Sequence, residues 1–371
     1  MNNQHMRINI RSTLLTVLTL LMIFVASCQI GFTHGNNQLD NSTFLNQSCT
    51  TFFVSNADIV LLCDSEDMGA NHPLAANPER SVIWFYPSSA RLGGKYGVLA
   101  LGWFWNDDVS FQSGMNGKGL GLGLTAIPPT PLNSHPEKPF TPTSHGSLYY
   151  RILWDSANVT EAIQIARNYN LEELHYQILV ADASGDAVII SPGSGGELAF
   201  TRKEPAEDYL VASTSNCAIP ESYIGGDSFK RYDTAVSALE NLENGTDSII
   251  DQCSSILESV HRQSSVQLGA YTAYSSIFDL KSRVAYVYYL SQFDEVIQLN
   301  MAEELTKGQH YYRLSDLVSV QTNDQALDQY RAAQTRGWLV ISGISIGILI
   351  LLVGLIYLIY VKVKKRRRQT T

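Results

Sequence analysis

The sequence is poor in cysteine, with only five such residues among 371. Small secreted proteins that depend on disulfides are much richer in cysteine, so this composition excludes a disulfide-dense scaffold. Charged residues make up 16% of the chain, whereas apolar residues make up 45% and aromatic residues 10%. That balance excludes an intrinsically disordered protein, because it supplies enough apolar side chains to fill a core.

Several kinds of binding site are also missing from the sequence. The eight histidines do not show the spacing of metal ligands, and we predict neither a metal nor another cofactor. The alternating glycines at 117, 119, 121 and 123 are not followed by the Lys-Ser/Thr pair of a phosphate-binding loop. They predict instead a strand whose glycines allow another part of the chain to approach its backbone closely. The net charge is −9 although the C-terminal end is basic, which argues against a nucleic-acid partner.

Both ends of the chain predict a single-pass membrane protein. Residues 1–27 have the pattern of a signal peptide, with two arginines, an apolar run of twelve residues and a small-residue ending. Residues 338–361 carry no charge over 24 positions, which is enough to span a bilayer as a helix. Six lysines and arginines follow in the tail 362–371, which places the tail in the cytoplasm. The region between the ends is therefore expected outside the cytoplasm, at the cell surface or in a secretory or lysosomal lumen.

Polar segments flank this region. Residues 28–48 are predicted to be a pro-segment or linker, and residues 319–337 a polar stalk. Val25-Ala26-Ser27-Cys28 also fits a bacterial lipoprotein cleavage site, so lipidation of Cys28 stays open. In the span, Gly343 and Gly347 match a small-residue helix-packing motif, which leaves a homo-oligomer open.

A predicted β-hairpin brings a thiol close to carboxylates. Two β-rich runs, 50–54 and 59–63, flank the turn-forming residues 55–58. If Val54 pairs with Ile59, Cys49 lies opposite Asp64, at the start of the acidic cluster 64–67. The residues alone leave Cys49 open between a structural or disulfide-bonded thiol and a nucleophile.

The remaining pattern favours an α+β fold with antiparallel sheets. Hairpins are predicted at 176–181 with 187–190 and at 271–278 with 283–290, and a short strand at 209–212. Helices are predicted to begin near Asn158, Ser228 and Asp247, and the proline-rich stretch 127–146 is predicted to be a surface loop. Cys253 is predicted to be a core thiol on an apolar helix face.

A series of short motifs gives the chain a family resemblance. They are Ser48-Cys49-Thr50-Thr51-Phe52, Asp64-Ser65-Glu66-Asp67-Met68, Ile83-Trp84-Phe85, Gly94-Lys95-Tyr96-Gly97, Gly114-Met115-Asn116-Gly117-Lys118-Gly119-Leu120, Lys230-Arg231-Tyr232-Asp233, Tyr274-Ser275-Ser276-Ile277-Phe278-Asp279-Leu280, and Glu303-Glu304-Leu305 with Lys307-Gly308. In their order and spacing, residues 49–318 resemble the linear amide C–N hydrolases. These are the choloylglycine hydrolase and penicillin V acylase relatives within the N-terminal-nucleophile superfamily.

The resemblance implies a four-layer αββα sandwich and self-cleavage before Cys49. The freed α-amine, whose pKa is near 8, would then act as the base for its own thiol. The thiolate would attack an amide carbonyl of a small-molecule substrate and form an acyl-enzyme, which water would hydrolyse.

The resemblance also implies roles for particular residues. Asp67 would hold and orient the amine, and Arg231 would brace the site. The oxyanion donor that follows the strand of Tyr209 would be Asn216, or Thr214 in a gap-free alignment.

Departures from the family pattern concern both specificity and activity, and those at Asp64 and Ser191 favour the inactive alternative given below. A second oxyanion donor falls near Thr125 or Ala126, where the asparagine of the bile-salt enzymes is absent. Asp64 stands where those enzymes have an arginine, and Ser191 stands where relatives usually have a glutamate. We therefore expect no bile-salt hydrolysis.

Two other functions stay open at this stage. One is a dipeptidase of the same superfamily, whose members also begin with Cys-Thr. The other is an inactive, membrane-anchored ectodomain that binds a partner. Cys63 and Cys217 are a candidate disulfide pair, because the hairpin and strand predictions bring both close to the site.

Overall fold

A computed structural model describes residues 49–68, 77–88, 94–105, 108–142, 147–219, 227–242, 249–262 and 271–369. The strands are β1 (Thr50–Ser55), β2 (Val60–Met68), β3 (Ser81–Tyr86), β4 (Val98–Trp105), β5 (Asp108–Asn116), β6 (Leu120–Pro131), β7 (Glu173–Asp182), β8 (Ala187–Pro192), β9 (Leu198–Arg202), β10 (Tyr209–Ala212), β11 (Tyr271–Asp279), β12 (Val284–Tyr289), β13 (Ile297–Asn300) and β14 (His310–Arg313). The helices are α1 (Leu148–Asp155), α2 (Val159–Arg167), α3 (Asp227–Glu240), α4 (Ile249–Val260), α5 (Met301–Thr306) and α6 (Val320–Gln369).

These strands form two sheets. The first sheet has the order β10-β1-β2-β11-β12-β13, and the second has the order β14-β3-β4-β5-β6-β7-β8-β9. Neighbouring strands in both sheets run antiparallel. The predicted α+β class is therefore confirmed.

Strand alternation divides the apolar side chains among three layers of core. Because successive side chains point to opposite faces, Phe53 and Leu62 enter the core between the sheets, whereas Phe52 and Leu61 face the other way. Helices α3 and α4 cover that other face of the first sheet, and α1 and α2 cover the outer face of the second. This arrangement confirms the four-layer αββα sandwich.

The first hairpin forms where it was predicted, but its register differs by two residues. Ser55 pairs with Val60 and Thr51 with Asp64, so the connection is a four-residue loop, 56–59. The side chain of Asn56 closes this loop, because its Oδ1 atom accepts the backbone N–H groups of residues 58 and 59, each at 2.9 Å. The predicted pairing of Val54 with Ile59, and hence of Cys49 with Asp64, is wrong.

Other elements show smaller differences from the prediction. β6 continues to Pro131 and takes the first residues of the predicted surface loop, and α1 was not predicted. α2 begins after Asn158, whose side chain accepts a hydrogen bond from the N–H of Glu161, as expected of a helix cap. The predicted helix start at Asp247 lies outside the described residues.

Only part of the glycine stretch is in a strand. Gly117 and Gly119 form the turn before β6, and Gly119 needs its positive φ of 79° there. Gly121 and Gly123 lie in β6 and face the first sheet. A Cβ atom on Gly123 would lie 2.7 Å from Cγ2 of Thr51, so this glycine permits the close approach of the two sheets.

Helix α6 is continuous from the globular domain into the apolar C-terminal segment. The segment Ser342–Lys365 is 24 residues long and contains an 18-residue window with a mean hydropathy of 2.8, so this part of the helix is long and apolar enough to cross a membrane. The segment predicted to be a polar stalk is helical from Val320 onward. Its first turns pack on the domain, where Ala326 is buried and the rings of Tyr330 and Tyr271 lie 4.9 Å apart.

Candidate active site

Cys49 immediately precedes β1 and is buried, with 2% of its surface exposed. Continuing the register of β1 with β2 sets Cys49 beside Glu66, and continuing its register with β10 sets it beside Thr214. The first of these neighbours is in contact, because Sγ of Cys49 lies 3.4 Å from Oε2 of Glu66. The thiol is therefore at the end of a central strand, where it faces the interior between the sheets.

The acidic cluster of β2 is split between the two faces of the first sheet. Asp64 and Glu66 are on the inner face with Cys49, since they share the parity of the core residue Leu62. Asp67 is on the outer face under α3 and α4. Asp64 accepts a hydrogen bond from the Thr51 hydroxyl at 2.6 Å.

Burial controls the ionisation of the inner-face groups. Burial raises the pKa of Asp64 to about 7, against the hydrogen bond from Thr51 and the nearby Ser113 hydroxyl, which lower it. Burial and the charge of Asp64 raise the pKa of Glu66 well above its ordinary value. Burial, followed by the charges of Glu66, Asp67 and Asp64, raises the pKa of the Cys49 thiol well above its ordinary value. The thiolate form of Cys49 is therefore disfavoured in the uncleaved chain.

Asp67 is the centre of a buried polar network on the outer face. Its carboxylate forms an ion pair with Arg231 of α3 and accepts a hydrogen bond from the Thr272 hydroxyl of β11. The Thr272 oxygen accepts in turn from the backbone N–H of Arg262 at 2.7 Å. Burial raises the pKa of Asp67, and the charge of Arg231 and the hydrogen bond from Thr272 partly offset that rise.

The segment after β10 is held by a side chain of the second sheet. The amide nitrogen of Gln177 donates to the carbonyls of Ser213 and Ser215, the latter at 2.9 Å, and its oxygen accepts from the backbone N–H of Cys217 at 3.4 Å. Gln177 lies on β7, where it pairs with Thr125. It therefore fixes the segment 213–217 against the inner layer.

The two oxyanion candidates differ in their surroundings. Thr214 is the residue that the β1–β10 register sets beside Cys49. Asn216 is buried two residues further on, and its amide nitrogen donates to the carbonyl of Pro192 at 2.8 Å while its oxygen accepts from the N–H of Ala218 at 3.0 Å. Asn216 is thus tied to the end of β8.

The other predicted site residues lie in β6 and in β10. Thr125 and Ala126 are buried in β6, two and three residues beyond Gly123. Tyr209 pairs with Val54 at the opposite end of β1 from Cys49, and its hydroxyl donates to Glu240 at 3.3 Å. Tyr209 is therefore not brought to the site.

The cysteines do not form the pair suggested by the sequence. Cys63 and Cys253 are both fully buried in the same apolar cluster, between the first sheet and α4. Cys217 lies elsewhere, with its Sγ 4.0 Å from Oγ of Ser191 and 3.7 Å from Oγ1 of Thr201. The four cysteines in the described residues are free, so the predicted pairing of Cys63 with Cys217 is wrong. The predicted core position of Cys253 is confirmed.

Sequence reasoning gave no role to Glu66, Thr272 or Gln177. Glu66 was within the predicted acidic cluster, and strand alternation places it on the face of Cys49 in either register, but only the observed register sets it directly opposite Cys49. Thr272 and Gln177 are more than a hundred residues from Cys49 in sequence and carry no local motif. Among the described residues, no group of three or more His, Cys, Asp or Glu side chains is arranged to hold a metal ion.

Comparison with known proteins identifies the fold. No protein-family model and no curated protein matches the sequence. Among solved structures, penicillin V acylase from Agrobacterium tumefaciens superposes with a TM-score of 0.51 at 15% identity, over 69% of this chain and 86% of that one. A mutant conjugated bile acid hydrolase from Clostridium perfringens superposes with a TM-score of 0.53 at 15% identity, over 73% of this chain and 98% of that one.

This chain has the fold of the N-terminal-nucleophile hydrolases. The resemblance inferred from the motifs is confirmed at the level of the fold. The similarity spans most of both chains, so the described domain corresponds to nearly the whole of those hydrolases rather than to a fragment.

Proposed function

We propose that this protein is a membrane-anchored amide hydrolase whose nucleophile is Cys49, exposed as a new N-terminus. The observation that carries the proposal is the position of Cys49, which stands at the start of a central strand in a fold shared with an acylase and a bile acid hydrolase. Carboxylates surround it, and a buried Asp67–Arg231 pair lies on the adjoining strand and helix.

Maturation would begin with the thiol itself. Sγ of Cys49 adds to the carbonyl carbon of Ser48, the peptide C–N bond breaks, and the departing nitrogen takes up a proton as the α-amine of Cys49. Water then hydrolyses the resulting thioester, which returns the thiol and leaves a carboxylate on residue 48. Residues 28–48 would be the pro-segment that this step removes, after loss of the signal peptide 1–27.

The freed amine supplies the base that the buried thiol lacks. With a pKa near 8, it can take the thiol proton at neutral pH. The thiolate attacks the substrate carbonyl, the leaving amine takes up the proton, and water hydrolyses the acyl-enzyme.

Neighbouring residues would supply orientation and charge stabilisation. Asp67, held by Arg231 and Thr272, is suited to orient the amine. For the oxyanion, the strand register favours Thr214 over Asn216, whose amide is already engaged with Pro192. Thr125 is a candidate for the second donor.

The apolar segment of α6 would anchor this hydrolase in a membrane. The basic residues after it support a cytoplasmic tail and a catalytic domain on the other side. A homo-oligomer through the glycines of the span stays a prediction of the sequence alone.

An inactive binding ectodomain is the second candidate function. The observation in its favour is the pair of buried carboxyls beside the thiol, since their charge raises the pKa of Cys49. A dipeptidase is a variant of the main proposal that differs only in substrate.

Hydrolysis by the full-length protein in detergent tests the proposal. A panel of fluorogenic acyl amides and dipeptide amides is compared between wild type and Cys49→Ala, with Cys217→Ala as the matched cysteine control. We expect the Cys49 variant to lose at least about a thousandfold in kcat/KM and the control to keep most of its activity. Equal rates for wild type and the Cys49 variant would exclude Cys49 as nucleophile, and no turnover of any amide would favour the binding ectodomain.

A further inference from the structure

The inner face beside Cys49 carries an unusual concentration of buried oxygen atoms. Oδ2 of Asp64 and Oε1 of Glu66 are buried and make no hydrogen bond to any described residue. The two side chains are neighbours on the same face of β2, and the other Glu66 oxygen touches the Cys49 thiol at 3.4 Å. The second oxygen of each carboxyl is thus left for another group in the immediate surroundings of the nucleophile.

Hydroxyl groups from three other strands surround these carboxyls. Tyr274 pairs with Glu66 in the register of β11, and its pKa is raised by burial and by the charges of Glu66, Asp64 and Cys49, which places its ring among them. The Ser113 hydroxyl also lies at this position, because its proximity lowers the pKa of Asp64. Tyr274 and Ser113 are fully buried, and within the described part of the chain their hydroxyls have no well-formed hydrogen bond.

Buried polar atoms without a hydrogen-bond partner are rare in a protein interior, where nearly all such groups are paired. Each unpaired one costs about 1–3 kcal/mol, since it has lost its contact with water. Thr125 adds a third buried hydroxyl without a partner among the described residues, on β6 just beyond the close approach of Gly123 to Asp64. The cluster therefore offers several acceptors to one polar group that would enter beside Cys49.

The charge of this cluster determines which kind of chemical group it would bind beside Cys49. The arginines of the region act on the opposite face of the sheet, where Arg231 and Arg262 lower the pKa of Asp67. Neither Asp64 nor Glu66 has a cationic side chain among the described groups that shift its pKa. Burial favours the protonated form of both carboxyls, and a donor with positive charge is the group that would stabilise their ionised form and satisfy the two free oxygens together.

We infer that Asp64 and Glu66 form a cation-binding subsite beside Cys49, which takes an amide substrate that carries an ammonium or guanidinium group close to the bond to be cleaved. This inference rests on the proposed function and names its substrate class. Glu66 contacts the attacking sulfur, so a substrate carbonyl bound at Sγ brings groups within a few bonds of it against Glu66 and Asp64. The hydroxyls of Tyr274 and Ser113 complete the shell as neutral acceptors.

Matched pairs of substrates test the subsite. Coumarin amides of 3-aminopropanoic and 4-aminobutanoic acid are compared with the butanoyl and pentanoyl amides, which have the same chain length without the charge. The measured quantity is the ratio of kcat/KM for the charged amide to that for the neutral amide, in the full-length protein. Asp64→Asn and Glu66→Gln are the test variants, and Asp58→Asn is the control, because it removes the same charge from an exposed turn of the same hairpin.

We expect wild type to prefer the charged amide, and each test variant to lower the ratio by about tenfold to a hundredfold, the usual worth of a buried hydrogen bond to a charged group. The control should leave the ratio unchanged. The wild-type preference should also increase as the pH rises through about 7, where Asp64 ionises.

Three outcomes would overturn the inference, and they are distinguishable. Equal or better hydrolysis of neutral amides by wild type overturns the subsite but leaves the proposed hydrolase in place. A proportional loss on both substrates in Glu66→Gln, with the ratio unchanged, means that Glu66 pairs with the α-ammonium of Cys49 instead. Hydrolysis of neither substrate by a wild type that turns over other amides overturns the subsite alone, whereas no turnover of any amide overturns both proposals.

Discussion

Replacing Arg231 by methionine would leave the carboxylate of Asp67 buried without its ion-pair partner. Arg231 is 5% exposed and Asp67 is fully buried, so water has little access to the carboxylate, and Arg262 is left as a cation that acts on it through charge. Methionine keeps most of the side-chain volume, which restricts the change to the charge. The Thr272 and Ser65 hydroxyls also donate hydrogen bonds to the Asp67 carboxylate.

The expected cost is large because the remaining charge is desolvated. Removing one partner of a buried pair costs about 3–5 kcal/mol, most of which is the penalty of the carboxylate that stays behind. An exposed pair of the same chemistry is worth only about 0.2–1 kcal/mol. Arg202 and Asp186 form such a pair, with half of the Arg202 side chain exposed, so Arg202→Met is the matched control.

Urea unfolding of the full-length protein in detergent, followed by tryptophan fluorescence, measures both variants at pH 7. We expect Arg231→Met to lose at least about 3 kcal/mol of unfolding free energy and Arg202→Met less than 1. The double change Arg231→Met with Asp67→Asn should recover part of the loss, because the asparagine carries no charge. Equal losses in the two single variants, or no recovery in the double variant, would refute this account of the buried pair.

Three further predictions follow from the inner layer. Gly123→Ala should cost about 1–3 kcal/mol in the same unfolding assay, since its Cβ would lie 2.7 Å from Thr51 and push the sheets apart, whereas Gly195→Ala meets nothing within 4 Å and should cost little. Burial raises the pKa of Asp64 to about 7 from 3.8, so the folded state binds its proton more tightly than the unfolded state does. Stability should therefore fall as the pH rises from about 4 to 7, and a urea series across this range should show a shallower fall in Asp64→Asn. Gln177→Leu leaves two buried backbone carbonyls without their donor and should cost about 2 kcal/mol and lower kcat, and a loss of stability without any loss of kcat would contradict its role in holding the segment after β10.

The layered fold was predictable because its signals are local. The alternation of apolar residues in 271–278 and 283–290, with a turn between them, predicts a hairpin that the structure has as β11 and β12. The strand at 209–212 was predicted with its observed bounds. Such patterns indicate whether each element is a helix or a strand. The large number of hairpins indicates that the sheets are antiparallel, because hairpins join neighbouring antiparallel strands.

The candidate site was predictable only in part, because it depends on register and on distant contacts. The side-chain amide of Asn56 closes a four-residue loop, so the register of the first hairpin differs by two residues from the predicted one. As a result Glu66, and not Asp64, lies beside Cys49. The motif resemblance named Asp67 and Arg231, which the fold brings into contact. Gln177 reaches the segment after β10 only because the two sheets stack, and no pattern near it in sequence indicates that contact.

The N-terminus of the mature protein tests the central claim most directly. Mass spectrometry of wild type, Cys49→Ala and the control Cys217→Ala, each purified as the full chain, identifies the first residue of each. The account predicts that wild type and the control begin at Cys49, whereas Cys49→Ala keeps residues upstream of position 49. Wild type that retains those upstream residues would have no free amine on Cys49, and this result would contradict the proposed mechanism.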